Sequence, residues 1–559
     1  MRRAPEPQGK AMYVASEPDR AWLLNEQRKL YARSQQDLDY VFEKLWGLLT
    51  DPRNLRIAFG RVARNRGRRT AGADGVTVRS VLAQRTVDAY ANDIRTELRS
   101  GAYRPMPVRR VLIPKPEQRG KFRPLGIPTV KDRVVQAAMK SILEPIFEAD
   151  FCPTSYGFRP GRGAHAALEE LRKFLQPRRP PKGSGREQRF AYPWAIEGDI
   201  RACFDKISHH GLMDRVRQRI GDAKVNRLVV AFLKAGVLAE GNILRNEVGT
   251  PQGGIASPLL ANIALSVIEE RYARHVWPRR TPTIETDPER TKARALANRN
   301  NDRRADVDRG RPIFVPIRYA DDFIVLVGVP YGPEAYERAR AAAHEEKAAL
   351  ARLLKESLNV ELADAKTHVT PVTSPMRFLG HHVRVQRHPR WGWVSKAVIP
   401  KDRSQRFRAL IRAHFRVGHN QTLKDRLVAL NPILRGWSTF YRHAWGAKLV
   451  FYALDSYIWR SVRRWLRKKH ARIGRRQLVA RYGWRKPGKR TVIWQEAGTF
   501  AFELGRQKVE RYKHGWMRTP DFAMSSMESP VRNERRTPGS EGGARKPADV
   551  SRSRRRAPT

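Results

Sequence analysis

Apolar residues recur at helical spacing between residues 21 and 60, with Leu38, Val41, Phe42, Leu45 and Leu48 on one stripe, and predict a helical N-terminal region behind a polar, Pro-containing start. Gly72, Asp74 and Gly75 mark a turn, after which 81–98 reads as an amphipathic helix. Pro105, Pro107, Pro114 and Pro116 bracket a short apolar strand at 108–113. A helix is expected over 134–147, followed by a Gly-rich turn in SYGFRPGRGAHAAL (155–168) that opens another. Ala195 to Ile200 is a strand candidate ending in acid. Two apolar runs, 313–317 and 323–329, are joined by Arg318-Tyr319-Ala320-Asp321-Asp322, a hairpin signature. Helices are expected again over 334–358 and 402–470. Residues 177–189 read as a basic loop, and 281–311, almost devoid of large apolar side chains, as an exposed insertion.

Composition changes the picture in two ways. The 559 residues carry 110 Lys and Arg against 55 Asp and Glu, a formal net charge of +55 spread along the whole length. Such a charge calls for a polyanionic partner, and a nucleic-acid backbone is the commonest. Only Cys152 and Cys203 are present, which excludes a disulfide framework and an all-cysteine zinc site and suggests a reducing compartment. No run approaches the ~18 apolar residues of a membrane span, and the first ten residues lack the apolar core of an export signal. A cytoplasmic protein without a membrane partner is the expectation.

The sharpest chemistry is Tyr319-Ala320-Asp321-Asp322. Adjacent acids between apolar strands repel one another, and a divalent cation is the obvious compensation, although such turns also occur simply as surface turns. A second acid-bearing segment, Gly198-Asp199-Ile200-Arg201-Ala202-Cys203-Phe204-Asp205, ends an apolar strand, and Asp199 or Asp205 could equally cap a helix. Two-metal phosphoryl transfer needs acids delivered by separate strands, and Asp199 and Asp321 meet that demand.

Taken in order, GDIRACFD, then GTPQGGIASPLLANIAL (249–265), YADD and FLGHH (378–382) resemble the sequential blocks of reverse transcriptases. Upstream, AGADGVT (71–77), LIPKP (112–116), KFRPLGIP (121–128) and SYGFRPGRGAHAAL are similar to those of group II intron reverse transcriptases. Downstream, LNPILRGWSTFYRHA (430–444) resembles their maturase domain. The resemblance implies that Asp199 and Asp321 hold two Mg2+ ions, with Asp322 beside them and the Ile200 carbonyl as a further ligand. It implies that Phe204 lies under the nucleotide sugar and excludes a 2′-hydroxyl, that Lys121 and Arg123 grip the triphosphate, and that Gln252 lies near the sugar and base. Lys366, in ADAKT, would protonate the departing pyrophosphate. Arg435, Trp437, Tyr441 and Arg442, with Arg463 and Arg464 on the basic side of the next helix, are expected to face RNA. Lacking cysteine after Cys203, the chain is expected not to carry the His-Asn-His endonuclease that ends many such proteins.

The expected fold is therefore α+β, a right-hand polymerase with fingers and palm over 35–385 after an N-terminal extension (1–34). A helical thumb and maturase domain follows over 386–475, then a basic DNA-binding segment (476–520) and a disordered basic tail (521–559). The expected function is an RNA-directed DNA polymerase that also binds its group II intron RNA to assist splicing and mobility. Its expected partners are that RNA, an RNA template with a DNA primer, a DNA target and deoxynucleoside triphosphates. An alternative is a maturase with an idle polymerase site, which the retained, mutually repelling acids argue against. Another is a reverse transcriptase of a retron or defence system, which the maturase-like segment near Asn431 argues against.

Overall fold

Strand-forming runs that are apolar at every position, not at alternate ones, need cover on both faces. The strands fall into β1 (Val108–Pro114), β2 (Phe122–Ile127), β3 (Trp194–Asp199), β4 (Val237–Ala239), β5 (Asn242–Leu244), β6 (Ile313–Tyr319), β7 (Asp322–Gly328) and β8 (His368–Pro371). After these come β9 (Met376–Phe378), β10 (His381–His388), β11 (Gly392–Val398), β12 (Gly483–Arg485), β13 (Val492–Glu496) and β14 (Thr499–Phe500). The computed structural model describes residues 15–114, 120, 122–177, 189–201, 203–239, 242–244, 253–276, 299–485 and 492–512. Most of the expected basic loop, the first part of the 281–311 insertion and the expected tail lie outside them.

The central sheet has the order β6-β7-β3-β8, all antiparallel, and is covered on both faces. Ile196, Phe323, Val325 and Val327 point into one core, shared with the helices Val130–Asp150, Ser257–Arg271 and Ala335–Leu358. Ala195, Val315, Ile317, Ile324 and Leu326 point into another, covered by the helix Ala164–Phe174 and by β9 and β10. A second sheet, β2-β1-β4-β5, stands on the chain before and after β3.

The apolar stripe expected to be helical through Leu38 and Val41 is interrupted. A helix runs Glu17–Gln36 and ends at Asp37, and helices resume at Trp46–Leu49 and Pro52–Arg64. In between, the backbone of Phe42 pairs with residues 219–222, its amide donating to the Arg219 carbonyl at 2.8 Å, so the segment is held by tertiary pairing and Leu38 and Val41 are left exposed. The expected helix over 81–98 is two, Val78–Gln84 and Val87–Ser100, because Thr86 caps the second through the Ala89 amide. The described end of the insertion is mostly exposed, as expected, but residues 299–308 are helical. Polar contacts anchor that helix: Asp306 is buried and accepts from Arg274 and His275, and Arg303 donates to the His275 carbonyl.

A separate core gathers around the helices Lys401–His414, Leu423–Tyr441 and Ala447–Lys469. Residues 475–485 and 492–506 pack with it as well: Leu478, Trp494 and Leu504 are buried there. Asp455 accepts from the amides of Leu504 and Gly505, and residues 507–511 return as a strap. Lys448 donates to the Gln507 carbonyl, His443 to that of Glu510, and Arg511 pairs with Glu169 on the other side of the seam. The seam is closed further by His165 donating to the Phe440 carbonyl, Tyr441 to the Gly380 carbonyl, and the Trp445 amide to the Ala397 carbonyl.

Arg318 is fully buried near the end of β6. Its guanidinium pairs with the equally buried Glu269 at 2.7 Å and donates to Asn262, Ser155 and the Ala320 carbonyl. A buried ion pair contributes little net stability over apolar packing, but removing one partner leaves a charge stranded and costs about 3–5 kcal/mol. Arg318→Leu is therefore expected to lower the unfolding free energy by about that amount, read from denaturant titration by circular dichroism, whereas adding Glu269→Leu restores part of the loss.

Candidate active site

The hairpin turn between β6 and β7 is set by register. Tyr319 pairs with Asp322, leaving Ala320 and Asp321 as a two-residue loop, and Ala320 adopts φ +59°. Two-residue hairpins require such a left-handed residue, and in a non-glycine it carries a backbone cost of about 1–3 kcal/mol. The Arg318 hydrogen bond to the Ala320 carbonyl holds it there at 3.1 Å. Gly157 completes the support: a Cβ at this position would lie 2.4 Å from the Ala320 nitrogen, so only glycine lets the 155–158 backbone reach the turn. Asn262 fixes Gly157 in turn, donating to its carbonyl at 2.6 Å.

β3 delivers the third acid. Its last residue, Asp199, pairs in register with Asp322. The preceding Gly198 lies under the Phe323 ring, whose Cζ would be 2.1 Å from an added Cβ. Beyond Asp199 the chain bridges to 361–363: Asp199 accepts from the Ala363 amide and Arg201 donates to the Glu361 carbonyl, a pairing that does not use Ile200's own carbonyl. Asp199, Asp322 and, in the adjoining turn, Asp321 thus lie together at one end of the two inner strands of the central sheet.

Electrostatics there are unbalanced. Burial, followed by the nearby Asp199 charge, raises the Asp321 carboxyl above its usual range. Burial also pushes Asp322 up to about 7, with Asp321, Asp199 and Glu197 adding to the rise against a long hydrogen bond from the Leu379 amide. Lys366 supplies the compensating cation, its Nζ 2.6 Å from Asp199 Oδ2, and that hydrogen bond raises its own pKa. Among the described residues no three His, Cys, Asp or Glu side chains converge closely enough to hold an ion unaided. Mg2+ is usually held by one or two carboxylates and completed by substrate phosphates and water, and acids that repel one another beside a displaceable lysine suit that mode of binding.

The remaining expected site residues are distributed unevenly. Phe204, in the short helix Cys203–Lys206, is half-buried against the main core, so packing accounts for part of its surface. Arg123 lies exposed on β2, opposite Ile113. Lys121 and Gln252 lie outside the described residues. Next to Gln252, Gly253 takes φ +118° with room for a Cβ denied by the Gly126 carbonyl at 2.1 Å, which brings that loop against the strand carrying Arg123. In the 423–441 helix Arg435 is exposed, whereas Trp437 stacks on Phe407 at 4.5 Å and Tyr441 is buried, so both expected RNA-facing aromatics are packing residues. Arg442 is half-buried against His443, Arg463 lies over the Trp459 ring and Arg464 is exposed. The supports Arg318, Asn262 and Glu269 were not anticipated. Their signal was polar residues inside otherwise apolar segments.

The central sheet thus carries Asp199 and Asp322 at one end of its two inner strands, with Asp321 in the adjoining turn and Lys366 against Asp199. The reverse transcriptase (RNA-dependent DNA polymerase) family matches residues 113–383, and the maturase-specific domain of group II introns matches 404–483. Protein YkfC of Escherichia coli K12 is 35% identical over 399 residues, covering 69% of this chain and 95% of its own. The group II intron-encoded protein LtrA of Lactococcus lactis is 32% identical over 389 residues, 64% of this chain and 59% of its own length. A putative COX1/OXI3 intron 2 protein of Saccharomyces cerevisiae is 28% identical over 247 residues, 44% of this chain and 26% of its own. The chain belongs to the group II intron-encoded reverse transcriptase/maturase family.

A divalent ion bound at Asp199 would have to displace Lys366. The lysine side chain is largely exposed, so the pair is worth at most about 1 kcal/mol. Lys366→Met is expected to tighten Mn2+ binding by about two- to fivefold, followed by electron paramagnetic resonance titration. Unchanged or weaker binding would contradict the competition.

Proposed function

We propose that this protein copies RNA into DNA by two-metal nucleotidyl transfer in a right-hand polymerase and binds its group II intron RNA through the helices that follow. The grouping of Asp199, Asp321 and Asp322 at one end of strands β3 and β7 carries the reading. In this scheme the β1–β2 sheet forms the fingers, the central sheet the palm and the 401–469 helices the thumb.

Asp199 and Asp321 hold two Mg2+ ions, with Asp322 and the Ile200 carbonyl alongside. When bound, such ions activate the primer hydroxyl and stabilise the leaving pyrophosphate. Arg123 and Lys121 hold the triphosphate, for which a guanidinium fork is well shaped. Gln252 lies against sugar and base, and the exposed side of Phe204 excludes a ribose 2′-hydroxyl. Lys366, released from Asp199, donates a proton to the departing pyrophosphate. Arg435, Arg442, Arg463 and Arg464 track RNA phosphates, and splicing assistance, intron mobility and engagement of a DNA target follow from that binding. A cytoplasmic setting accords with this work, and no helix among the described residues is long and apolar enough to cross a membrane.

Asp321→Ala with Asp322→Ala is expected to reduce Mg2+-dependent primer extension on an RNA template at least about a thousandfold while leaving intron RNA binding intact. Extension surviving in that double variant would refute the metal assignment. Filter-binding affinity for the intron RNA is expected to fall by roughly a thousandfold or more from about 50 to about 200 mM salt if six or more phosphates are contacted. A flat response would refute the electrostatic account.

A further inference from the structure

The β10–β11 hairpin carries an exposed group of aromatic rings that neither the polymerase chemistry nor the maturase helices account for. His388 and Trp391 stack at its tip, ring centroids 4.3 Å apart and 17° from parallel. Trp445, from the loop entering the 447–469 helix, stands edge-on to Trp391 at 6.1 Å. Trp391 and Trp445 remain 43% and 46% exposed, a surface normally buried in residues of this size.

The hairpin itself is cationic, and the acids nearest Trp445, Glu169 and Glu510, are already paired with Arg511 and Lys508. Residues 381–398 and 441–454 contain Arg384, Arg387, Arg390, Lys396, Arg442 and Lys448 and no Asp or Glu. Lys396 is buried with its Nζ 4.7 Å over the Trp445 ring, and Arg390 lies 5.9 Å over that of Trp391. Arg384, directly across the ladder from Lys396, has a buried Nε with no hydrogen-bond partner among the described residues. No ion pair is formed by Arg384, Arg387, Arg390 or Lys396 within those residues.

We infer that this aromatic shelf binds unpaired nucleotides of RNA, bases stacking on Trp391 and Trp445 while Arg387 and Arg390 meet the backbone. Aromatic faces interleaved with unneutralised arginine suit single strands, because every base has a π-face whereas a duplex hides its own. The chain's own segment 513–559 is a poor occupant, with 11 Lys and Arg against 5 Asp and Glu. The shelf is also remote from the chemistry. β10 starts two residues after Leu379, whose amide reaches Asp322, and its seven steps to His388 span roughly 23 Å. The inference rests on the reading of the chain as an RNA-binding protein, but its test does not use the polymerase site.

The full-length protein would be titrated with a fluorescent 12-nucleotide oligouridylate and, separately, with a 12-base-pair RNA duplex. Trp391→Ala with Trp445→Ala is expected to weaken oligouridylate binding roughly tenfold, to leave duplex binding unchanged and to be rescued largely by Trp391→Phe with Trp445→Phe. Extension of a pre-annealed primer remains at the parental rate, which reports an intact fold and stands or falls independently. Equal losses on both ligands, or none on either, would overturn the inference. Should the alanine pair fail to fold, Trp391→Ala alone, at the exposed hairpin tip, carries the same comparison, and parental affinity for oligouridylate would be decisive against it. Photocross-linking with 5-iodouridine is expected to label peptides containing Trp391 or Trp445, and labelling confined to other peptides would also overturn it.

Discussion

A charge with no access to water organises the polymerase half of this protein. Arg318 can be buried only because Glu269 and Asn262 of the 257–271 helix, Ser155 and the Ala320 carbonyl of its own turn surround it. The ion pair is a poor source of stability compared with apolar packing. Its value lies in specificity: a guanidinium with directional partners accepts one arrangement of β6, the 257–271 helix and the 155–158 turn, where methyl groups would accept several. That arrangement is the one in which Asp321 and Asp322 face Asp199.

The acids are thus held by a scaffold whose buried Arg318 partly offsets the Asp321 charge, and by a lysine that pairs with Asp199 directly. Gly157 and Gly198 contribute through missing atoms, one letting a backbone approach the turn and the other making room for Phe323. Around these, two cores on opposite faces keep the central sheet from shifting register, because a one-residue slip would exchange Ile196 and Val325 with Ala195 and Ile324. β10 and β11 then carry the order outward, from the Leu379 amide beside Asp322 to the Trp445 and Tyr441 contacts of the helical part.

Much of this was legible in the residues. The β6–β7 hairpin, β3 ending in Asp199, and the helices at 335–358 and after 401 follow from apolar periodicity, and the acids declare themselves by being awkward. Periodicity misled where tertiary pairing won, as at Phe42, and where a capping Thr86 divided one helical stripe into two. It also could not show that a segment poor in apolar residues, 299–308, would be fixed through a buried Asp306. Trp437 and Tyr441 illustrate a different gap: an aromatic beside arginine reads alike whether it meets RNA or a neighbouring helix, and only the Phe407 stack and the Gly380 hydrogen bond decide. Arg318 hid because a lone arginine in a chain with 110 basic residues draws no notice.

The strap at 504–511 gives the molecule a direction in time. Translation proceeds at roughly 5–20 residues per second, and N-terminal units fold as they emerge. The residues that cap Asp455 and clasp Glu169 are synthesised after every other described element of the helical part, so a nascent chain carries a complete central sheet while its last helices still lack their latch. Among the described residues, the contacts across this seam are therefore the last that synthesis makes available.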